Sequence, residues 1–155
     1  MRQFSLGAFG GGGEECRFTE FDRQDFVCVT RTGHPELDSG LSLEIYTSLD
    51  HILVAPDLGG RRGVIDEWLK QMNKRRNIVC SVPHFLSTCT LAAQSDLLLT
   101  VPRLLGEKVA KNFDLDLHEL PFVMLGFTIG LHWHQTRDSD PEHASFRNFV
   151  MAAVG

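Results

Sequence analysis

The sequence predicts an α/β domain built on a mostly parallel sheet with helices on both faces. Three observations predict it. Strand-like apolar runs alternate with helical patterns through the middle of the chain. The run "HILVAP" reads as apolar throughout, as a strand covered on both faces does. Several runs stop at proline or glycine just before a helical pattern begins, the punctuation of a strand–loop–helix unit.

The elements follow in order. "RQFSLGAF" suits one short strand, and "GGGGEE" then breaks it. "FVCVTR" is rich in β-branched and aromatic residues and lies between Asp25 and Gly33, so it predicts a strand. "GHPELDSG" is a turn. Ser42 or Ser39 caps a helix through "LEIYTSLDH", where Leu43, Tyr46 and Leu49 fall at helical spacing. "HILVAP" follows as a strand, and "DLGGRRG" opens onto a helix striped by Val64, Ile65, Trp68, Leu69 and Met72. The run Lys74-Arg75-Arg76 reads as the cationic end of that helix.

"NIVCSVP" is the next strand, then "FLSTCTLAAQ" a short helix of small residues. "LLLTVP" is a strand, and "RLLGEKVAKNF" a helix expected to turn Leu104, Leu105 and Val109 inward. "LDLHELP" alternates as an edge strand with Leu115, Leu117 and Leu120. "VMLGFTIGLHWH" predicts one long strand, bent or bulged at Gly126 or Gly130. Asp140 caps a last helix with Pro141 in its first position and Phe146, Phe149 and Val150 as its apolar stripe.

The bulk numbers bound the function. At 155 residues, 43% hydrophobic and 23% charged, the chain suits one ordinary globular domain. A net charge of −5 argues against nucleic-acid binding by this chain alone, because phosphate affinity needs clustered cations. Cys16, Cys28, Cys80 and Cys89 form no C-x-x-C pair, and Cys28 and Cys80 sit in apolar strands. They read as small buried hydrophobes of a reducing compartment, hence a cytoplasmic protein. No signal peptide and no membrane-spanning run is visible.

The candidate chemistry is sparse. Pro83-His84-Phe85 lies just past a strand and just before a helix, where sheets of this class bind ligands. A helix start there offers backbone N–H groups, Ser87, Thr88 and Thr90 add hydroxyls, Phe85 an apolar face and His84 a donor or acceptor. A plain turn explains the same residues. Gly59, Gly60 and Gly63 have neither dinucleotide-loop nor P-loop spacing, and read as a tight turn bordering a pocket. His132 and His134 share a strand face, but no third metal ligand is placed with them. Cys89 with His84 is the one conceivable nucleophile and base, the signature of a small hydrolase, though five residues apart on a helix do not share a face. The expectation is no enzyme and no cofactor.

Three stretches together carry a resemblance: "ILVAPDLGGRRGVIDEWL", "IVCSVPHFLSTCTLAAQSDLLLTVPRLL" and "LHWHQTRDSDPEHASFRNFV". The chain resembles the C-terminal half of LysR-type transcriptional regulators, in the branch of the nodulation regulators. "FVCVTRTGHPEL" is similar to the strand that first crosses between the two lobes of that effector domain. The resemblance implies a type II periplasmic-binding-protein-like fold, with two α/β lobes closing on a small molecule. Residues 22–120 match a largely complete second lobe; residues 1–21 and 121–155 match remnants of the first, including its return strand and terminal helix. It further implies that Pro83, His84, Phe85, Ser87 and Thr88 line the cleft with Phe9, Pro56, Gly60 and Thr128. The effector it implies is a small molecule such as an aromatic or organic acid. The partners it implies are further copies in a dimer or tetramer, and DNA only through a helix-turn-helix this chain lacks. The chain reads as a truncated piece, and a module that pairs with full-length regulators is the alternative role.

Overall fold

The structure, a computed structural model, describes residues 4–8, 15–55 and 63–154. In chain order it holds β1 (Phe4–Ala8), β2 (Cys16–Gln24), β3 (Phe26–Arg31), α1 (Leu43–Ser48), β4 (Asp50–Val54), α2 (Val64–Gln71) and β5 (Asn77–Val82). Then come α3 (Phe85–Ala93), β6 (Leu98–Pro102), α4 (Arg103–Phe113), β7 (Leu115–Glu119), β8 (Phe127–His134), a 3-10 turn at Gln135–Arg137 and α5 (Pro141–Val154). They form two compact units: residues to Asp25 with those from Leu125 onward, and Phe26–Met124.

The Phe26–Met124 unit carries a five-stranded sheet in the order β5-β4-β6-β3-β7. β4 runs parallel to β5 and β6, whereas β3 runs antiparallel to β6 and β7. β4, β5, β6 and β7 therefore share one direction, as the β–α alternation implies, and β3 alone runs against them and makes the sheet mixed, because it enters with no preceding crossover helix to set its direction. Helices cover both faces, and the strands show it by alternation. Val27 and Val29 of β3 and Leu99 and Val101 of β6 pack in one apolar cluster with Cys89, Ala92 and Val109 from α3 and α4. The intervening Cys28 and Leu98 join Tyr46, Ile65 and Leu69 from α1 and α2 in the other.

Local chemistry fixes the helix ends. Ser42, not Ser39, caps α1, its hydroxyl accepting from Ile45 N at 3.2 Å. Asp66 reaches back from α2 to accept the Gly63 N–H at 2.7 Å. Asp114 closes α4 in the left-handed region (φ 53°). Buried Gly106 lets α4 settle on the sheet, since a Cβ there would strike the Val27 methyl. That contact turns Leu105 and Val109 inward and leaves Leu104 exposed, correcting the expectation that Leu104 faces the core. Val64 and Phe149, also expected on apolar stripes, are exposed.

The other unit is a three-stranded antiparallel sheet, β1-β8-β2, with α5. β2 was not expected from the sequence. "CRFTEFDRQ" mixes charges with two phenylalanines three apart, which strict alternation cannot place on one face; a bulge between Glu20 and Asp22 absorbs the extra residue. Gly130 is no bulge: the Phe18 ring lies where its Cβ would stand. The strand expected over 123–134 is paired only from Phe127. Asp140 caps α5 as expected, accepting from Glu142 N and His143 N.

Candidate functional site

The carboxyl ends of β4, β5 and β6 lie along one edge of the five-stranded sheet, because the three run parallel. Val54 and Val82 are partners in register there, and Pro102 ends β6 opposite Phe26. Pro83 follows β5 and His84 forms the N-cap of α3 in an extended conformation, with no side-chain cap bond. His84 is therefore exposed, Ser87 is exposed, Pro83 is half-buried, and Phe85 is 38% exposed beside the 66%-exposed Leu86.

One helical turn further in, the environment reverses. Thr88 and Cys89 are fully buried. Thr88 donates both its backbone N–H (3.1 Å) and its hydroxyl (2.8 Å) to the His84 carbonyl, so it ties down the first turn instead of facing solvent. Burial pushes the Cys89 thiol up, the opposite of what a nucleophile needs. Thr128 belongs to the other unit, half-buried on β8 opposite Arg23. Phe9, Pro56 and Gly60 lie outside the described residues. At the far side of the same sheet edge Arg103 forks onto Glu119 at 2.9 and 2.7 Å.

Sequence reasoning missed a buried polar chain behind α1 and α2. Arg76 is not a solvated helix-end cation. Its side chain is 2% exposed and grips Asp66 through Nε (2.8 Å) and Nη2 (2.9 Å). Its Nη1 donates to the Tyr46 hydroxyl (3.4 Å), which meets Thr100 Oγ1 at 2.9 Å. Burial alone would raise the Asp66 carboxyl, but the hydrogen bonds from Arg76 and Gly63 outweigh it and hold the group below its usual range. Burial pushes Cys28 to about 12 and raises Tyr46 as well. His51, wholly buried, donates Nε2–H to the Tyr46 carbonyl at 2.7 Å, and burial drives it down to about 4. Glu–Arg spacing rules give no hint of this chain, because Asp66 and Arg76 meet across the end of α2, ten residues apart.

Among the described residues no group of three His, Cys, Asp or Glu side chains is placed to hold a metal ion. His132 approaches Cys16 Sγ at 4.0 Å, and His134 pairs with Glu15 and Thr136, each at 2.9 Å. No helix of the described residues is long and apolar enough to cross a membrane.

The model of the LysR substrate binding domain matches residues 7–155. Nodulation protein D 1 of Sinorhizobium fredii is 32% identical over 133 residues, which is 84% of this chain and 40% of that protein. A Pseudomonas aeruginosa structure described as a probable transcriptional regulator superposes with a TM-score of 0.87 at 28% identity, over 98% of this chain and 49% of that one. The effector-binding domain of QuiR, solved with shikimate, shares the fold at a TM-score of 0.78 and 18% identity, over 97% of this chain and 71% of that one. The chain thus spans about two fifths of the length of the curated relatives it matches. Those relatives are transcriptional regulators, not enzymes.

Proposed function

Because the chain belongs to the LysR substrate-binding domain family, whose members form the effector-binding part of LysR-type transcriptional regulators, we propose that it senses a small organic molecule at the α3 edge of its five-stranded sheet. One observation carries the location: His84 and Phe85 stand exposed where β5 hands over to α3, while Thr88 and Cys89, one turn deeper, are sealed. A core turn would bury the aromatic ring first, since burial of a phenylalanine is the largest apolar gain available there.

In this reading Phe85 supplies a flat apolar wall, His84 a hydrogen-bonding tip, and the first N–H groups of α3 a weakly positive end suited to a carboxylate or a polarised oxygen. Pro83 and Ser87 border them. Thr88 acts indirectly, by fixing the turn that presents His84 and Phe85. The regulator is cytoplasmic, acts as an oligomer, and couples effector binding to closure of its lobes and to rearrangement on DNA.

Phe85→Ala tests the site. In the isolated chain it should cost far less than the ~3–5 kcal/mol of deleting a core phenylalanine. In a regulator carrying the DNA-reading domain it should abolish the response of a reporter promoter to inducer. Large destabilisation in the chain, with reporter loss merely tracking protein abundance, would sink the reading.

A further inference from the structure

The chain leaves the Phe26–Met124 unit for the last time through residues 120–126, an irregular stretch, bent at Pro121 and Phe122, with no strand pairing. Leu120, Phe122 and Met124 turn inward and pack on the α1/α2 cluster, Phe122 edge-on to the Tyr46 ring at 5.4 Å. Val123 and Leu125 turn outward, 91% and 75% exposed. Apolar anchors of this kind are non-directional: they hold a segment down without fixing its path or register. A directional contact is also present. The indole N–H of Trp68, on α2, donates to the Val123 carbonyl at 3.0 Å.

We infer that Trp68 is a positioning residue for this crossing: its indole N–H sets the path by which the chain leaves the unit, and refers that path to α2. α2 is itself held in place. Asp66, two residues before Trp68, caps Gly63 and is clamped by buried Arg76, which precedes β5. β5 runs on to Pro83-His84-Phe85. Through these two polar contacts α2 ties the strand that ends at the proposed effector site to the segment through which the chain leaves the unit. The continuation is equally constrained on its own side, because a Cβ at Gly126 would strike the Gln24 carbonyl. The consequence for sensing rests on the proposed function; the positioning role does not.

Limited proteolysis of the full chain with chymotrypsin, read by mass spectrometry, tests it. Phe122 and Leu125 are cleavable residues within the crossing. Native-state cleavage follows the population of the locally opened form when closing is fast. Losing one ordinary hydrogen bond raises that population about five-fold. Trp68→Phe, which keeps an aromatic ring and removes the N–H, should speed cleavage after Phe122 and Leu125 about five-fold while cleavage after Phe149 in α5 is unchanged. Trp68→Leu should behave the same way. The inference is overturned if Trp68→Phe cleaves at the wild-type rate, whatever Trp68→Leu does. A uniform rise at every site would also overturn it, since that reports general loosening. Neither readout involves an effector, so either outcome leaves the test of Phe85 standing on its own.

Discussion

Acidification from pH 7.5 to 5 should destabilise the Phe26–Met124 unit, chiefly through one buried side chain, His51. The imidazole is 0% exposed. Its Nε2–H is engaged by the Tyr46 carbonyl, and its Nδ1 is buried without a hydrogen-bond partner. A proton added at Nδ1 would sit dry, with no acceptor and with the Arg76 guanidinium among the nearby charges. Burial is the largest cause that drives the group down to about 4 from an ordinary 6.5; the Tyr46 bond opposes it and Arg76 adds to it. The folded value lies below the unfolded one, so the unfolded chain takes the proton first. The stabilisation is therefore complete above about pH 6.5, is lost as pH falls towards 4, and changes no further below that. The gap is worth about 3 kcal/mol, of which about 2 kcal/mol is gone by pH 5. Urea unfolding followed by circular dichroism between pH 7.5 and 4.5 measures it. His51→Gln keeps a donor for the Tyr46 carbonyl but does not titrate, so the difference between wild type and variant isolates the residue. His118, also lowered by burial, contributes with the same sign, and His118→Gln separates it. A wild-type-minus-variant difference that stays flat from pH 7 to 5 would refute the argument.

Other expectations follow from the same interior. Asp66→Asn or Arg76→Met alone should cost about 3–5 kcal/mol, because each strands a buried partner; Asp66→Leu with Arg76→Met should recover most of the loss in thermal denaturation. Gly106→Ala should cost about 1–3 kcal/mol by forcing α4 off Val27, read as a lower urea midpoint at unchanged slope. In the folded chain a thiol reagent at neutral pH should label half-buried Cys16 and Cys80 while sparing buried Cys28 and Cys89, and urea should expose all four; prompt labelling of Cys89 would revive the hydrolase alternative.

What was legible in the sequence divides along physical lines. β3 and β6 were legible because their residues are apolar on both faces, and the structure splits Val27, Val29, Leu99 and Val101 from Cys28 and Leu98 to opposite sides. β2 was not, since its two phenylalanines fit one face only after a bulge that no local pattern announces. Strand direction was legible only in part. Alternation of strand and helix implies parallel neighbours for β4, β5 and β6, but is silent on β3, whose partners lie about 70 and 90 residues away in sequence. The choice between Leu104 and Leu105 turned on Gly106, a residue whose contribution is the absence of a side chain.

The placement of Pro83-His84-Phe85 between β5 and α3 was legible for a different reason: it follows from the strand–helix punctuation, and its exposure from helix phase. His84 and Thr88 are one turn apart, so the hydroxyl of Thr88 meets the His84 carbonyl and is withdrawn from solvent, whereas Ser87, a position earlier, points out. A sequence reading that counts hydroxyls near a helix start treats the two alike; only the packing of α3 against the sheet tells them apart. The buried chain from Asp66 through Arg76 and Tyr46 to Thr100 was illegible on the same grounds. Its members come from α2, the approach to β5, α1 and β6, and each alone has an ordinary surface explanation. A buried ion pair is weak evidence for stability, since its desolvation costs about as much as its attraction returns. Its placement here argues for a different role. It joins α2, whose Trp68 hydrogen-bonds the outgoing crossing, to the strand that ends at His84, and an apolar contact of the same area would hold both without fixing the position of either.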